Sequence, residues 1–337
     1  MSGRKELGIK IAFVLFGIFL GLGALEVALE ILRGRRSATE FEDIGDLRRA
    51  MLNDDAVTNG KPGNTPLRHI IYPQSDDKII YDLRPDLDVK FQRVNVKTNS
   101  CGMRSPERPM VKSPNTYRIA LLGDSFTFGW GVEQNLIFPQ RLEDNLNRIS
   151  GGAPQFEVLN FGVPGYSTFQ EVFQFIEKGD SFQVDAIVVF FVQNDFGPPF
   201  FINNLKNPGT IVASSEIARL AMRALDPESD EKKMLDLGWD PNSSLQKLAE
   251  YASERGIKLF LTINPRETWQ REWKKLWILR KRDDITFMDL RDAFLSVVQT
   301  EGIKSEDLTL SWDPHPSPLR HRIYGDIMTP YFMEEMR

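Results

Sequence analysis

From Tyr117 onward, apolar runs of strand length alternate with longer stretches of helical periodicity, and this alternation restricts the chain more than any other feature. A strand apolar along its whole length is covered on both faces. Strands separated by helices pair in parallel, because each helix carries the chain back across the sheet. The spacing predicts strands at Tyr117–Leu122, Phe156–Phe161, Ala186–Val192, Lys258–Ile263 and Ile285–Leu290. Helices fit at Glu133–Ile149, Ser167–Lys178, Leu245–Arg255, Thr268–Arg280 and Leu319–Met336. The expected fold is a three-layer α/β/α sandwich around a five-stranded parallel sheet. Ligands of such sheets bind beyond the carboxyl ends of the strands, where loops lead into helix N-termini.

A single core commonly stops growing near ~250 to 300 residues, so 337 residues accommodate one main domain with extensions. The division read here is a membrane anchor or signal-anchor at 1–36, a linker with a small β-ribbon at 37–114, and the α/β domain at 115–337. The ribbon rests on the short alternating runs Val89–Phe91 and Val94–Val96. An insertion at about 196–241, with a short helix at Ser215–Ala224, is too long for an ordinary connection and reads either as a lid or binding loop or as a surface excursion.

The anchor expectation comes from the unbroken apolar run Ile11–Leu25, preceded by Arg4, Lys5 and Lys10. Counted from Leu7, with Lys10 snorkelling, it approaches the ~20 residues a spanning helix needs. A cleaved signal peptide is the other reading, on the small residues Gly21, Gly23 and Ala24. Arg33, Arg35 and Arg36 on the far side leave orientation open by charge.

The net charge of −5 argues against nucleic acid as a partner, since phosphate neutralisation needs a basic face. One cysteine, Cys101, excludes an intrachain disulfide framework, and with no HExxH or paired CxxC the sequence implies no metal and no cofactor. The histidines are His69, His315 and His321, so imidazole chemistry has few candidates.

Gly123-Asp124-Ser125 follows the first predicted strand, and Asp313-Pro314-His315-Pro316 precedes the last helix. A serine hydroxyl becomes a nucleophile when an imidazole takes its proton, and a carboxylate fixes that imidazole's tautomer. Ser125, His315 and Asp313 can fill those roles; taken alone, Ser125 would read as a helix N-cap. Thr127 stands at the second glycine position of a G-x-S-x-G elbow, so the motif is a different one. Three donors follow the first three strands and could form an oxyanion hole: the backbone N–H of Ser125, that of Gly162, and the side-chain amide of Asn194. Ser317-Pro318 reads as a helix start, which puts His321 inside the helix and leaves His315 in a loop facing the site as the base. His69 reads as a surface residue.

GDSFTFG, the glycine after the second strand, Asn194-Asp195 after the third and Asp313-Pro314-His315 together resemble the four blocks of the SGNH/GDSL hydrolases. The resemblance runs from Tyr117 to the C-terminus and implies a flavodoxin-like sandwich. It also implies Ser125 as nucleophile, Gly162 and Asn194 as oxyanion donors, His315 as base and Asp313 as its partner. Two positions depart from the pattern: Val192 stands where a glycine is usual, and Asp313 lies two rather than three residues before His315. The implied activity is a serine esterase on O-acyl, foremost O-acetyl, esters of an extracytoplasmic saccharide or cell-envelope polymer. An O-acetyltransferase and a non-catalytic anchored binding protein are the alternatives. Resemblance to anchored relatives implies a membrane-held catalytic domain on the periplasmic or cell-surface side.

Three lesser features complete the reading. Arg104, in Asn99-Ser100-Cys101-Gly102-Met103-Arg104, either reaches substrate or holds a structural turn, the second being favoured. Trp269, Trp273 and Trp277 recur at helical spacing and are expected to pack against the sheet rather than meet sugars or lipid. Asp195 is expected to bond backbone or cap a turn.

Overall fold

The computed structural model describes residues 65–74, 78–79, 81–196, 240–266 and 269–335, with isolated helical residues between 10 and 28. Among the described residues no helix is long and apolar enough to cross a membrane. The expected anchor at 1–36 falls largely outside those residues. The insertion helix at 215–224 lies wholly outside them.

The first described segment holds α1 (Leu67–Ile70), the hairpin of β1 (Ile71–Pro73) and β2 (Tyr81–Leu83), and a second hairpin of β3 (Asp88–Phe91) and β4 (Val94–Lys97). The second hairpin is the ribbon expected from the alternating valines. Its two-residue turn, Gln92-Arg93, has φ of +49° and +71°, the left-handed pair whose twist matches that of the strands.

The α/β domain follows: β5 (Thr116–Leu122), α2 (Ser125–Phe128), α3 (Phe138–Ser150), β6 (Gln155–Asn160), α4 (Thr168–Lys178), β7 (Ala186–Phe191), α5 (Pro241–Arg255), β8 (Lys258–Ile263), α6 (Gln270–Lys275), β9 (Ile285–Phe287), α7 (Arg291–Thr300), β10 (Thr309–Leu310), β11 (Asp313–Pro316) and α8 (Pro318–Glu335). The sheet runs β6-β5-β7-β8-β9 with every pairing parallel. β7, AIVVFF, is buried at all six positions, as a central strand covered on both faces must be. The five strands and the three layers are those that periodicity predicted.

Each face of the sheet has its own core. Phe161, Val172, Phe175, Leu245, Leu248 and Leu261 fill one under α4 and α5, and Phe138, Leu142, Phe190, Tyr324, Met328 and Phe332 fill the other under α3 and α8. The expected helix at Thr268–Arg280 is split into α6 and a 3-10 turn at Trp277–Arg280. Trp269 and Trp273 pack on Phe287 at 5.8 and 4.5 Å, so the tryptophans do cover the sheet edge.

The segment expected to be a linker behaves otherwise where it is described. Leu67, Ile70, Ile71, Tyr81, Leu83 and Phe91 share a third core with Phe128, Trp130, Val163 and Tyr166 of the α/β domain. Buried Arg118 extends the join, bonding Glu157 on the neighbouring strand and donating to the Met110 carbonyl at 2.9 Å. Apolar area removed from water in this way ties the segment to the sheet as part of one folded unit.

Candidate active site

Strand order turns back at β5, whose neighbours are β6 and β7, so the loops after these strands diverge and leave a crevice at their carboxyl ends. Gly123-Asp124 leads from β5 into α2, which begins with Ser125. Asp124 caps that helix, its Oδ1 accepting the Phe126 N–H at 2.8 Å. A Cβ on Gly123 would lie 2.1 Å from Thr127 Oγ1, which is why the turn into the helix takes glycine. Gly162 is required for a related reason: a Cβ there would stand 2.3 Å from the Phe128 nitrogen, so only a glycine lets the loop after β6 lie against the serine's helix.

β10 and β11 pair antiparallel, and β11 carries Asp313 and His315 to the same crevice, so His315 stands on a short strand rather than in the expected loop. His315 Nε2 is 2.8 Å from Ser125 Oγ. The other ring nitrogen, Nδ1, meets Asp313 Oδ1, which also accepts the His315 backbone N–H at 2.9 Å. Trp130 Nε1–H donates to Asp313 Oδ2 at 3.3 Å. Burial alone would push the Asp313 carboxyl up; the His315 ring and these hydrogen bonds outweigh it, and its pKa lies below the ordinary carboxylate value. The three residues named from sequence as nucleophile, base and carboxylate are therefore in hydrogen-bond series.

The named oxyanion donors follow the ends of the adjacent strands β5, β6 and β7. The Gly162 N–H donates to Asn160 Oδ1 at 2.9 Å, so it is engaged within its own loop. Asn194 gives one amide hydrogen to Asp124 Oδ2 at 2.8 Å, and Ser125 Oγ approaches the same oxygen at 3.3 Å. Asp195 closes the turn after β7, its Oδ2 accepting the Val192 N–H at 2.8 Å, which is the backbone role expected of it.

His321 is separate from this series. It is fully buried, its Nδ1 accepts the Phe138 N–H at 3.2 Å, and burial, reinforced by Arg104 and Arg320, lowers its pKa to about 3. His69 is exposed, as expected. Arg104 is buried and donates to the carbonyls of Phe128 at 3.0 Å, Gly129 at 2.6 Å and Val132 at 2.6 Å, which makes it a clamp on the loop after α2. Among the described residues no His, Cys, Asp or Glu group is arranged to hold a metal ion.

Two features of the site went unread in the sequence. Trp130, between Gly129 and Gly131, lies parallel to the His315 ring with centroids 5.0 Å apart and planes at 18°. The flanking glycines, with φ of +87° and +70°, were the visible signal of an unusual backbone there. Asp124 as the anchor of Asn194 joins positions 70 residues apart and had no local signature.

A family model described as GDSL-like lipase/acylhydrolase matches residues 119–328. No curated protein matches the chain. Among solved structures, the chain is similar to an acetyl xylan esterase at 16% identity and TM-score 0.41, covering 64% of this chain and 98% of the other. It is also similar to a two-domain esterase active on acetylated mannans at 16% identity and TM-score 0.41, covering 65% and 49%. A lipase/acylhydrolase from Enterococcus faecalis is similar at 14% identity and TM-score 0.39, covering 65% and 96%. Likenesses at this level add nothing to the fold, which rests on the strand order, and nothing to the chemistry.

Proposed function

This chain belongs to the GDSL-like lipase/acylhydrolase family and is an ester hydrolase, and we propose that it works as a Ser125-His315-Asp313 serine esterase. The observation that carries the reading is the 2.8 Å approach of His315 Nε2 to Ser125 Oγ, with the opposite ring nitrogen on Asp313. Ser125 Oγ attacks the ester carbonyl as His315 takes its proton, and Asp313 holds the ring in the tautomer that leaves Nε2 as acceptor. The tetrahedral oxyanion meets the N–H of Ser125 and the second amide hydrogen of Asn194, and the Gly162 N–H joins them by exchanging its bond to Asn160 Oδ1 for the oxyanion. His315 then protonates the leaving alcohol, and water, deprotonated by the same ring, releases the acid and restores Ser125.

The substrate proposed is an O-acyl, foremost O-acetyl, ester of a saccharide or cell-envelope polymer. Trp312, half-buried in the turn just before Asp313 with the Arg93 guanidinium 4.1 Å over its ring, supports this reading by offering an aromatic and cationic surface beside the site. The apolar run at 11–25 supports an anchored enzyme, and the resemblance to anchored relatives is what supports a catalytic domain outside the cytoplasm. Protease accessibility in spheroplasts, where only the cytoplasmic membrane is left, tests that placement; a domain that stays protected until the membrane is lysed removes it.

The chemistry is tested by hydrolysis of p-nitrophenyl acetate and of an acetylated oligosaccharide, with fluorophosphonate labelling, in wild type and Ser125→Ala. Both turnover and labelling are expected to vanish in the variant. A Ser125→Ala protein that hydrolyses as fast as wild type refutes the assignment.

A further inference from the structure

The His315-Asp313 pair has a third member. Trp130 is 2% exposed, lies flat against the His315 ring at 5.0 Å, and donates its indole N–H to the Asp313 oxygen that His315 does not use. One side chain therefore touches both the base and its carboxylate, through contacts other than the Nε2 bond to Ser125. An imidazole held only by its Nδ1 bond can swing about that bond; a ring stacked on one face removes the freedom and keeps Nε2 aimed at the nucleophile. The indole N–H also satisfies Asp313 Oδ2, which sits in a largely buried place where a missing partner is costly.

Trp130 is itself held from outside the family-matched segment, which begins at residue 119. Phe91, at the end of β3, meets the indole edge-on at 4.8 Å. Arg104 grips the carbonyls on both sides of it, at Phe128, Gly129 and Val132. The glycines that flank it cannot acquire side chains: a Cβ on Gly129 would lie 2.2 Å from Ile137 Cγ2, and one on Gly131 2.5 Å from Leu310 Cδ1. The segment before the sheet is thus built around this indole.

We propose that Trp130 is a positioning residue for the His315-Asp313 pair and that residues 66–105, through Phe91 and Arg104, hold it in place. The inference rests on the Ser125-His315-Asp313 reading above. The first segment is on this account a working part of the active site, which the α/β domain alone would lack.

The test is a double-mutant cycle in the full chain, reading kcat and KM for p-nitrophenyl acetate in wild type, Trp130→Phe, Asp313→Ala and the pair. Trp130→Phe keeps a ring against His315 and loses the N–H, so kcat is expected to fall about five- to tenfold with KM within about twofold. In the Asp313→Ala background the same substitution is expected to cost less than about twofold, because the bond it removes is already gone. Phe91→Leu is expected to lower kcat about two- to fivefold with KM unchanged, without touching Ser125, His315 or Asp313. Thermal melts of each variant separate these losses from unfolding. Additive losses in the cycle, or a change in KM alone, overturn the role of Trp130; a Phe91→Leu enzyme with wild-type kcat overturns the role of the first segment. Turnover retained in Ser125→Ala would instead overturn the reading beneath, a result the cycle cannot imitate.

Discussion

Asn194 Nδ2 donates to Asp124 Oδ2 across 2.8 Å, joining the loop after β7 to the residue immediately before Ser125. Because Asp124 Oδ1 meanwhile caps α2, each oxygen of this carboxylate has a separate task. Burial raises its pKa, and the Phe126 N–H, the Asn194 amide and the nearby His315 partly offset that.

Asn194→Ala is expected to lower kcat about 10²- to 10³-fold, the usual cost of one oxyanion donor. Asp124→Asn separates the two tasks: its oxygen can still cap the helix, while its NH₂ opposes the Asn194 amide, donor against donor. Its kcat is expected to approach that of Asn194→Ala, with stability lowered by about 1 to 3 kcal/mol because a buried donor is left facing a donor. Kinetics and melts on the two variants decide this, and wild-type kcat in Asp124→Asn would show that Asn194 needs no such anchor.

Asp313→Asn presents an amide to His315 in place of a carboxylate and is expected to cost about 10²- to 10⁴-fold in kcat with KM little changed. The depressed pKa of Asp313 keeps it ionised well below neutrality, so the carboxylate is in place at about pH 7. Steady-state kinetics on the two proteins at that pH check the loss, and wild-type kcat in Asp313→Asn would show that His315 needs no carboxylate.

His321 makes stability depend on pH. Its pKa in the folded chain, about 3, lies below the ordinary 6.5, so the unfolded chain takes up the proton first as pH falls. Its contribution is whole above about pH 6.5 and is lost toward pH 3, with a slope of at most about 1.4 kcal/mol per pH unit. His321→Gln keeps an acceptor for the Phe138 N–H and is expected to flatten that slope. Urea unfolding at pH 7 and pH 5 compares the two proteins; identical slopes would show that His321 does not carry it.

The strands were legible because a strand buried on both faces must be apolar at every position. Ala186–Phe191 and Lys258–Ile263 therefore announced themselves. The start of α5 at Pro241 was also written in the chain, as Asp240 capping with proline next to it, and was read four residues late. β10, β11 and α7 went unread: the strands are two and four residues long, and only one residue of α7, Phe294, is buried. The first segment was misjudged for another reason. Its apolar residues come in pieces of three or four, and what they cover, Phe128, Trp130 and Tyr166, lies far along the chain.

By itself the sequence determined the kinds of groups available and their address at the strand ends, because periodicity encodes which faces are buried and turns encode where strands stop. Tertiary structure alone decided which groups meet. Ser125 and His315 are 190 residues apart, and Trp130 is 183 from Asp313. Packing likewise separated the two candidate imidazoles, setting His315 against the serine and sealing His321 beneath Phe138. Proximity and desolvation are properties of the packed chain, and the strength of a charge or hydrogen bond depends on both.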